Sequence, residues 1–149
     1  MALKGSCRCR NIELEWQTVD LSLVPRACQC PFCKDHNASY VSKSGTPVKV
    51  SVRKPNLHRN TRHGSEQATF HSCDNCGDLV LVTVVVTVDG TAVTYGALNA
   101  NVVHNPKGFS PARLADYSLD TPATKAQRWQ DNWCYPITFA SAGQPMQPL

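Results

Sequence analysis

A mainly β fold of antiparallel sheets, with short helices and an irregular segment at the C-terminal end, is what this sequence predicts. Three observations carry the expectation. The ten-residue run Leu79–Val88 is built from Leu, Val and Thr and stops at Asp89-Gly90, a strong hairpin signal, before Thr91 to Leu98 returns. Ile12, Leu14 and Trp16 recur in the period of two that a half-buried strand requires. Seven of the eight cysteines fall into tight groups, Cys7/Cys9, Cys28/Cys30/Cys33 and Cys73/Cys76, which can staple short strands together through a metal.

A chain of 149 residues with 42% hydrophobic and 17% charged residues is long and apolar enough for one domain with its own core. We expect a single domain over residues 1–149, with an irregular tail after about residue 136. The opening residues hold no apolar run of signal-peptide length, and no segment is long enough to span a membrane, so the expected setting is cytoplasmic with no membrane partner. Eight cysteines in such a setting point to metal binding or redox chemistry, not to disulfides. The formal charge of +4 counts thiols as neutral, and seven thiolates on two zinc ions would nearly cancel it. The basic residues are also diffuse, and no recognition-helix pattern accompanies the cysteines, so no nucleic acid partner is expected.

In chain order, residues 6–17 read as one strand, with Cys7 and Cys9 on one side and Ile12, Leu14 and Trp16 turned to the core. Residues 17–26 connect it to the triplet. Pro31, lying between Cys30 and Cys33, removes a donor and predicts a turn or knuckle there, and Lys34 to Asn37 begins a short helix or loop. Ala38–Ser42 and Val48–Arg53 read as strands around a turn at Ser44-Gly45-Thr46-Pro47. Residues 54–65, with Lys54, His58, Arg59, Arg62 and His63, read as a polar surface loop. Glu66–His71 is a strand leading into a knuckle at Cys73-Asp74-Asn75-Cys76-Gly77, where Gly77 supplies a positive φ. After the hairpin come a loop over 99–110, a helix near Thr124–Trp133, and the breakers Pro136, Pro145 and Pro148.

Zinc in structural sites takes four tetrahedral ligands and suits thiolates, so Cys7, Cys9, Cys73 and Cys76 are expected to close one site. Cys28, Cys30 and Cys33 supply three ligands for a second ion and leave the fourth position to water or a thiol, which is the pattern of catalytic zinc. A fourth protein ligand from His36, His63, His71 or Cys134 would remove that position. Cys134, between Trp133 and Tyr135, reads instead as a small buried hydrophobe.

The ordered pattern Gly5-Ser6-Cys7-x-Cys9, Cys28-x-Cys30-x-x-Cys33 and Phe70-His71-x-Cys73-x-x-Cys76-Gly77 resembles the glutathione-dependent formaldehyde-activating enzyme family, which includes the centromere-protein-V-like proteins. The resemblance continues through Tyr95-Gly96-Ala97-Leu98-Asn99 and, more faintly, through Phe109-Ser110-Pro111 toward Trp129. It implies the zinc-centred β-fold of the Mss4-like group, a structural zinc at Cys7, Cys9, Cys73 and Cys76, and a catalytic zinc at Cys28, Cys30 and Cys33. It further implies carbon–sulfur lyase chemistry on a thiol such as glutathione and a small aldehyde, or on their adduct. The chain departs from the usual family pattern at Pro31, at Lys34-Asp35, and at Arg8 and Arg10 around Cys9.

On that reading a proton carrier is needed, and His36 and His71 are the candidates, each with a bland alternative as a support for metal ligands. Lys34, Arg59 and Arg62 could hold a substrate carboxylate. The partner is a small-molecule thiol or thiol–aldehyde adduct, and a homodimer is compatible with the sequence. Two other classes stand beside this one. A zinc-stabilised protein-interaction module would have both metals fully ligated by protein. A thiol reductase would need a reactive cysteine outside the metal, in an electropositive setting, and Cys134 is the one thiol left for it.

Overall fold

The structure is a computed structural model that describes residues 3–18, 22–62, 67–106, 108–115, 119–141 and 147–148. Among these residues the strands form two sheets. In chain order they are β1 (Leu3–Ser6), β2 (Ile12–Trp16), β3 (Arg26–Cys28), β4 (Tyr40–Val41), β5 (Val48–Val52), β6 (His58–Arg62), β7 (Thr69–Cys73), β8 (Leu79–Val88), β9 (Thr91–Asn99), β10 (Val103–His104), β11 (Arg113–Ala115), β12 (Ile137–Ser141) and β13 (Gln147–Pro148). One sheet runs β10-β1-β2-β5-β12-β13 and the other β11-β3-β4-β9-β8-β7-β6. The pairings are antiparallel except β5 with β12 and β3 with β11. Two helices accompany them, α1 (Pro31–Asp35) and α2 (Pro122–Asn132). The fold is mainly β, as the sequence predicts. No helix is long and apolar enough to cross a membrane.

Period-two alternation assigns the two cores. Ile12, Trp16, Val48, Val50 and Ile137 from one sheet meet Val41, Val80, Leu81 and Leu98 from the other. Each such side chain, once buried, contributes about 1.5–3 kcal/mol. The alternate residues of the second sheet, Tyr40, Val82, Val84 and Ala97, pack on its outer face against Trp129 and Trp133. Helix α2 covers that face. Thr121 caps its start by accepting from the Thr124 N–H at 3.2 Å, and Pro122 supplies the preset first turn.

Four expectations are corrected. Residues 6–17 are not one strand: the chain turns over Cys7–Asn11, with Cys7 N–H donating to Ile12 O and Arg10 N–H to Cys7 O, both at 3.0 Å, and with Arg10 at φ 63°. The thiols of Cys7 and Cys9 converge because of that turn, not because of a pleat. Gly5, just before it, lies so close to the next strand that a Cβ would strike the Val102 carbonyl oxygen. Residues 58–62, expected as loop, are the edge strand β6, which pairs with β7 from His58↔Cys73 to Arg62↔Thr69 despite its polar composition. An edge strand tolerates polar side chains because one flank and much of its surface meet water. His63 lies outside the described residues.

Pro31 does not make a knuckle. It opens α1 at the first helical position, where its missing N–H is not needed. Residues 137–141, expected within an irregular tail, form β12 inside the first sheet, registered from Ile137↔Val48 to Ser141↔Val52. Ile137 is buried in this pairing, and the alternate Phe139, half-buried, packs against the same core. The expected hairpin is present, with Asp89 and Gly90 at φ 50° and 77°.

Candidate metal centres

The sulfurs of Cys7, Cys9, Cys73 and Cys76 all lie within 4.8 Å of one another. Cys7 and Cys9 come from the turn between β1 and β2, Cys73 ends β7, and Cys76 belongs to the turn that follows. Sγ–Sγ distances are 3.7 Å for Cys7–Cys9 and 3.6 Å for Cys9–Cys73. The second turn is closed by Gly77 N–H on Cys73 O at 2.7 Å, with Gly77 at φ 80° as the knuckle requires. Arg8, one of the departures from the family pattern, clamps the two turns together. Its backbone N–H and Nε donate to the Asp78 carboxylate at 2.8 and 3.0 Å, and its guanidinium donates to the Cys76 carbonyl. Cys7 and Cys73 are buried in the core between the sheets. Burial pushes the Cys7 thiol up to about 12, while the Asn75 side chain and the Asn11 N–H hold Cys9 down at about 6.

The sulfurs of Cys28, Cys30 and Cys33 form the second group within 4.8 Å. Cys28 ends β3, Cys30 caps α1 by accepting from the Cys33 N–H at 3.4 Å, and Cys33 lies buried in the helix. The group sits on the outer face of the second sheet, against Phe32, Phe70, Tyr40 and Trp129. Tyr40 Oη is 3.1 Å from Cys33 Sγ. Burial keeps the phenol protonated, so it donates to the sulfur. A hydrogen bond from Cys33, helped by the Cys30 N–H and the charge of Arg128, lowers Cys28 to about 6; the same bond and burial push Cys33 up. Each group thus has one thiol that gives up its proton near neutral pH and at least one that holds it. A divalent ion with a preference for sulfur displaces such protons, and zinc suits both donor sets.

No fourth His, Cys, Asp or Glu among the described residues joins the triplet. Cys134 is fully buried, bridged to Gly96 through its backbone, and its thiol is pushed up by burial. That is the small hydrophobe expected, and the opposite of the activated thiol a reductase needs. His36 follows α1, exposed, with Nδ1 2.9 Å from the Phe32 carbonyl oxygen and its ring 4.4 Å from the Phe32 ring. The carbonyl can only accept, so Nδ1 carries the proton and Nε2 is the basic nitrogen.

His71 lies elsewhere. It is fully buried, its Nε2 is 2.7 Å from Thr83 Oγ1, and its Nδ1 is 2.8 Å from His58 Nε2. Its ring packs near Phe139 of the other sheet, whereas the adjacent Phe70 meets Phe32 beside the triplet. Successive residues of a strand face opposite ways, so His71 is turned from the triplet into the core between the sheets. Burial, then the neighbouring His58, hold it down at about 3, a neutral imidazole.

The expected carboxylate-holding residues are not brought together. Lys34 is exposed on α1. Arg59 reaches Asp74 at 3.6 Å beside the four-cysteine group, and Arg62, three residues along β6, faces the opposite side. Instead the positive charge of Arg128, on α2, acts on the Cys28 thiol. Neither Arg128 nor Tyr40 carries a local sequence signal, since each reaches the site only through the packing of α2 and β4.

A family model described as glutathione-dependent formaldehyde-activating enzyme matches residues 2–113. No curated protein matches the chain. A crystal structure of a protein from Rhodobacter sphaeroides is similar with a TM-score of 0.51 and 20% identity, over 72% of this chain and 99% of that one. That likeness speaks to fold alone. The family match spans both cysteine groups and the turns that shape them, and the chain belongs to the glutathione-dependent formaldehyde-activating enzyme family.

Proposed function

We propose that the chain is a zinc-dependent enzyme that forms or breaks a carbon–sulfur bond between a small thiol, such as glutathione, and a small aldehyde. The observation that carries this reading is the inequality of the two cysteine groups. Four sulfurs complete one tetrahedral site, whereas three sulfurs define the other, with no further ligating side chain near them among the described residues. Family membership supports the thiol and aldehyde classes.

Cys28, Cys30 and Cys33 would hold the ion, which when bound supplies Lewis acidity and lowers the pKa of a coordinated thiol or water. The chain's own residues do the rest. Phe32, Phe70 and Trp129 give the sulfurs apolar walls that strengthen local electrostatics. Tyr40 donates to Cys33 and steadies the charge of the thiolate set. His36 is our candidate proton carrier. It follows the helix that bears Cys33, its exposed ring is held by the Phe32 carbonyl, and its Nε2 is left basic.

The test is a screen of thiol and aldehyde pairs with the zinc-loaded protein, reading adduct formation and breakdown by NMR. Cys30→Ser should lower turnover by a factor on the order of 100 or more. Turnover at the wild-type rate in that variant would sink the proposal.

A further inference from the structure

The β8–β9 hairpin outruns the rest of its sheet. Strand β7 pairs with β8 only as far as Thr69↔Thr83, whereas β8 and β9 stay paired to Val88↔Thr91. Among the described residues no strand lies beside Val84–Val88 on the flank away from β9. Val85 is 52% exposed and Val88 41%, although both are apolar. Asp89 at the turn is the one formal charge between Leu79 and Val103, so the net charge of +4 is carried elsewhere. The edge strand on that side of the sheet, β6, is built differently and carries Arg59 and Arg62. Charge on an edge discourages pairing with another chain, and an uncharged β-branched edge invites it.

Backbone parity shows which groups this edge offers. Gly96 exchanges hydrogen bonds with Cys134 at 2.8 and 3.0 Å, so its N–H and C=O point away from β8. Pairs in an antiparallel ladder alternate between residues that bond each other and residues whose groups point outward. Thr83↔Gly96 is of the outward kind, and so are Val85↔Thr94 and Thr87↔Ala92. Val85 and Thr87 therefore turn their N–H and C=O to the unpaired flank, while Val84, Val86 and Val88 bond to β9.

We propose that Val84–Val88 is a dimerisation edge, which pairs antiparallel with the same segment of a second copy of this chain about a two-fold axis at Val86. A strand edge is its own complement across such an axis. This register sets Val85 against the second copy's Thr87, where the two exchange N–H···O bonds, and Val84 against its Val88. Uncharged β-branched side chains then meet on both faces, and the two Asp89 carboxylates stay at opposite ends. Each edge occupies the other, so assembly closes at two copies. The paired segment is well under a standard interface, and half-association is expected at about 100 µM.

Sedimentation velocity of the full zinc-loaded chain, from about 10 µM to about 1 mM, tests this. The mass should move from 16.3 kDa toward twice that value. Val85→Glu, at a position exposed in the single chain, should raise the dissociation constant by about tenfold or more with little change in melting temperature. Amide exchange reads the same contact without a variant. Val85 and Thr87 should slow as protein concentration rises, while Val86, bonded to β9, is protected throughout. A single 16.3 kDa species at the highest concentration overturns the proposal. So does a dimer that leaves the Val85 and Thr87 amides unprotected or that folded Val85→Glu leaves intact, and so does growth beyond two copies.

Discussion

The two cysteine groups offer the same atoms in different surroundings, and the difference is in what lies against the sulfur. The four-cysteine group joins two turns from distant parts of the chain, with Cys7 and Cys73 in the core between the sheets. It has every ligand that a tetrahedral ion requires, and its outer side is clamped by Arg8 and Asp78. The three-cysteine group is nearly local, running from the end of β3 into α1 on the outer face of one sheet. It is walled by aromatic rings, and the charge of Arg128 acts on Cys28. A closed set placed in the core is suited to stapling the fold, and an incomplete set on an aromatic surface is what the proposed reaction requires.

The sharpest way to break this contrast is to remove one sulfur from each group. Cys73→Ser should lower the melting temperature far more than Cys30→Ser, because metal-linked folding free energies at four-ligand sites run to about 10 kcal/mol or more. Cys30→Ser should stay folded, losing one metal per chain instead of two. Near-UV circular dichroism, thermal melts with and without chelator, and metal content read the pair together. Equal destabilisation by both substitutions would erase the distinction between staple and site.

Histidines provide the second comparison. His36→Gln should reduce kcat by about 10²-fold, the usual share of a general acid–base group, with little change in melting temperature. His71→Leu should do the reverse. It leaves Thr83 and His58 without their buried partner, at about 1–3 kcal/mol each, and spares the turnover of whatever protein stays folded. A loss of kcat in folded His71→Leu would contradict its placement in the core between the sheets.

Acid should empty the three-sulfur site first. Cys28 and Cys9 are both depressed to about 6 from an ordinary 9.0. Each is a thiolate in the metal-free folded chain above that pH and a proton competitor below it. By the same sign, the stability each lends the metal-free fold is present above about pH 9 and is lost as pH falls through about 6. Zinc affinity should fall by up to about tenfold per pH unit for that proton, and the group with four ligands should retain its ion further into acid. Zinc release followed with a chromophoric chelator checks the order. The smallest effect is expected of Tyr40→Phe, about 1 kcal/mol of stability and a modest rise in the pH at which the triplet takes up metal.

Spacing alone made much of this legible. C-x-C and C-x-x-C place the sulfurs of each tight cluster within reach of one ion, whereas the meeting of Cys7/Cys9 with Cys73/Cys76 is made by the fold. The hairpin at Asp89-Gly90, the positive φ of Gly77 and the helix near Trp129 were equally readable, since each depends on residues next to one another. Strand β6 was not, because its polar side chains show no alternation and its pairing is supplied by β7. Strand β12 was hidden by the prolines around it, and its place inside the sheet comes from residues about 90 positions earlier in the chain.

Which residues face the second group is a tertiary matter. His71 sits two residues from a metal ligand in sequence, yet the pleat turns it into the core, and Tyr40 and Arg128 arrive from β4 and α2. Which cysteines can serve as ligands thus follows from their spacing and was legible in the sequence. The surroundings that separate a staple from a site are set by which faces the sheets bury, and only the packed structure decides them.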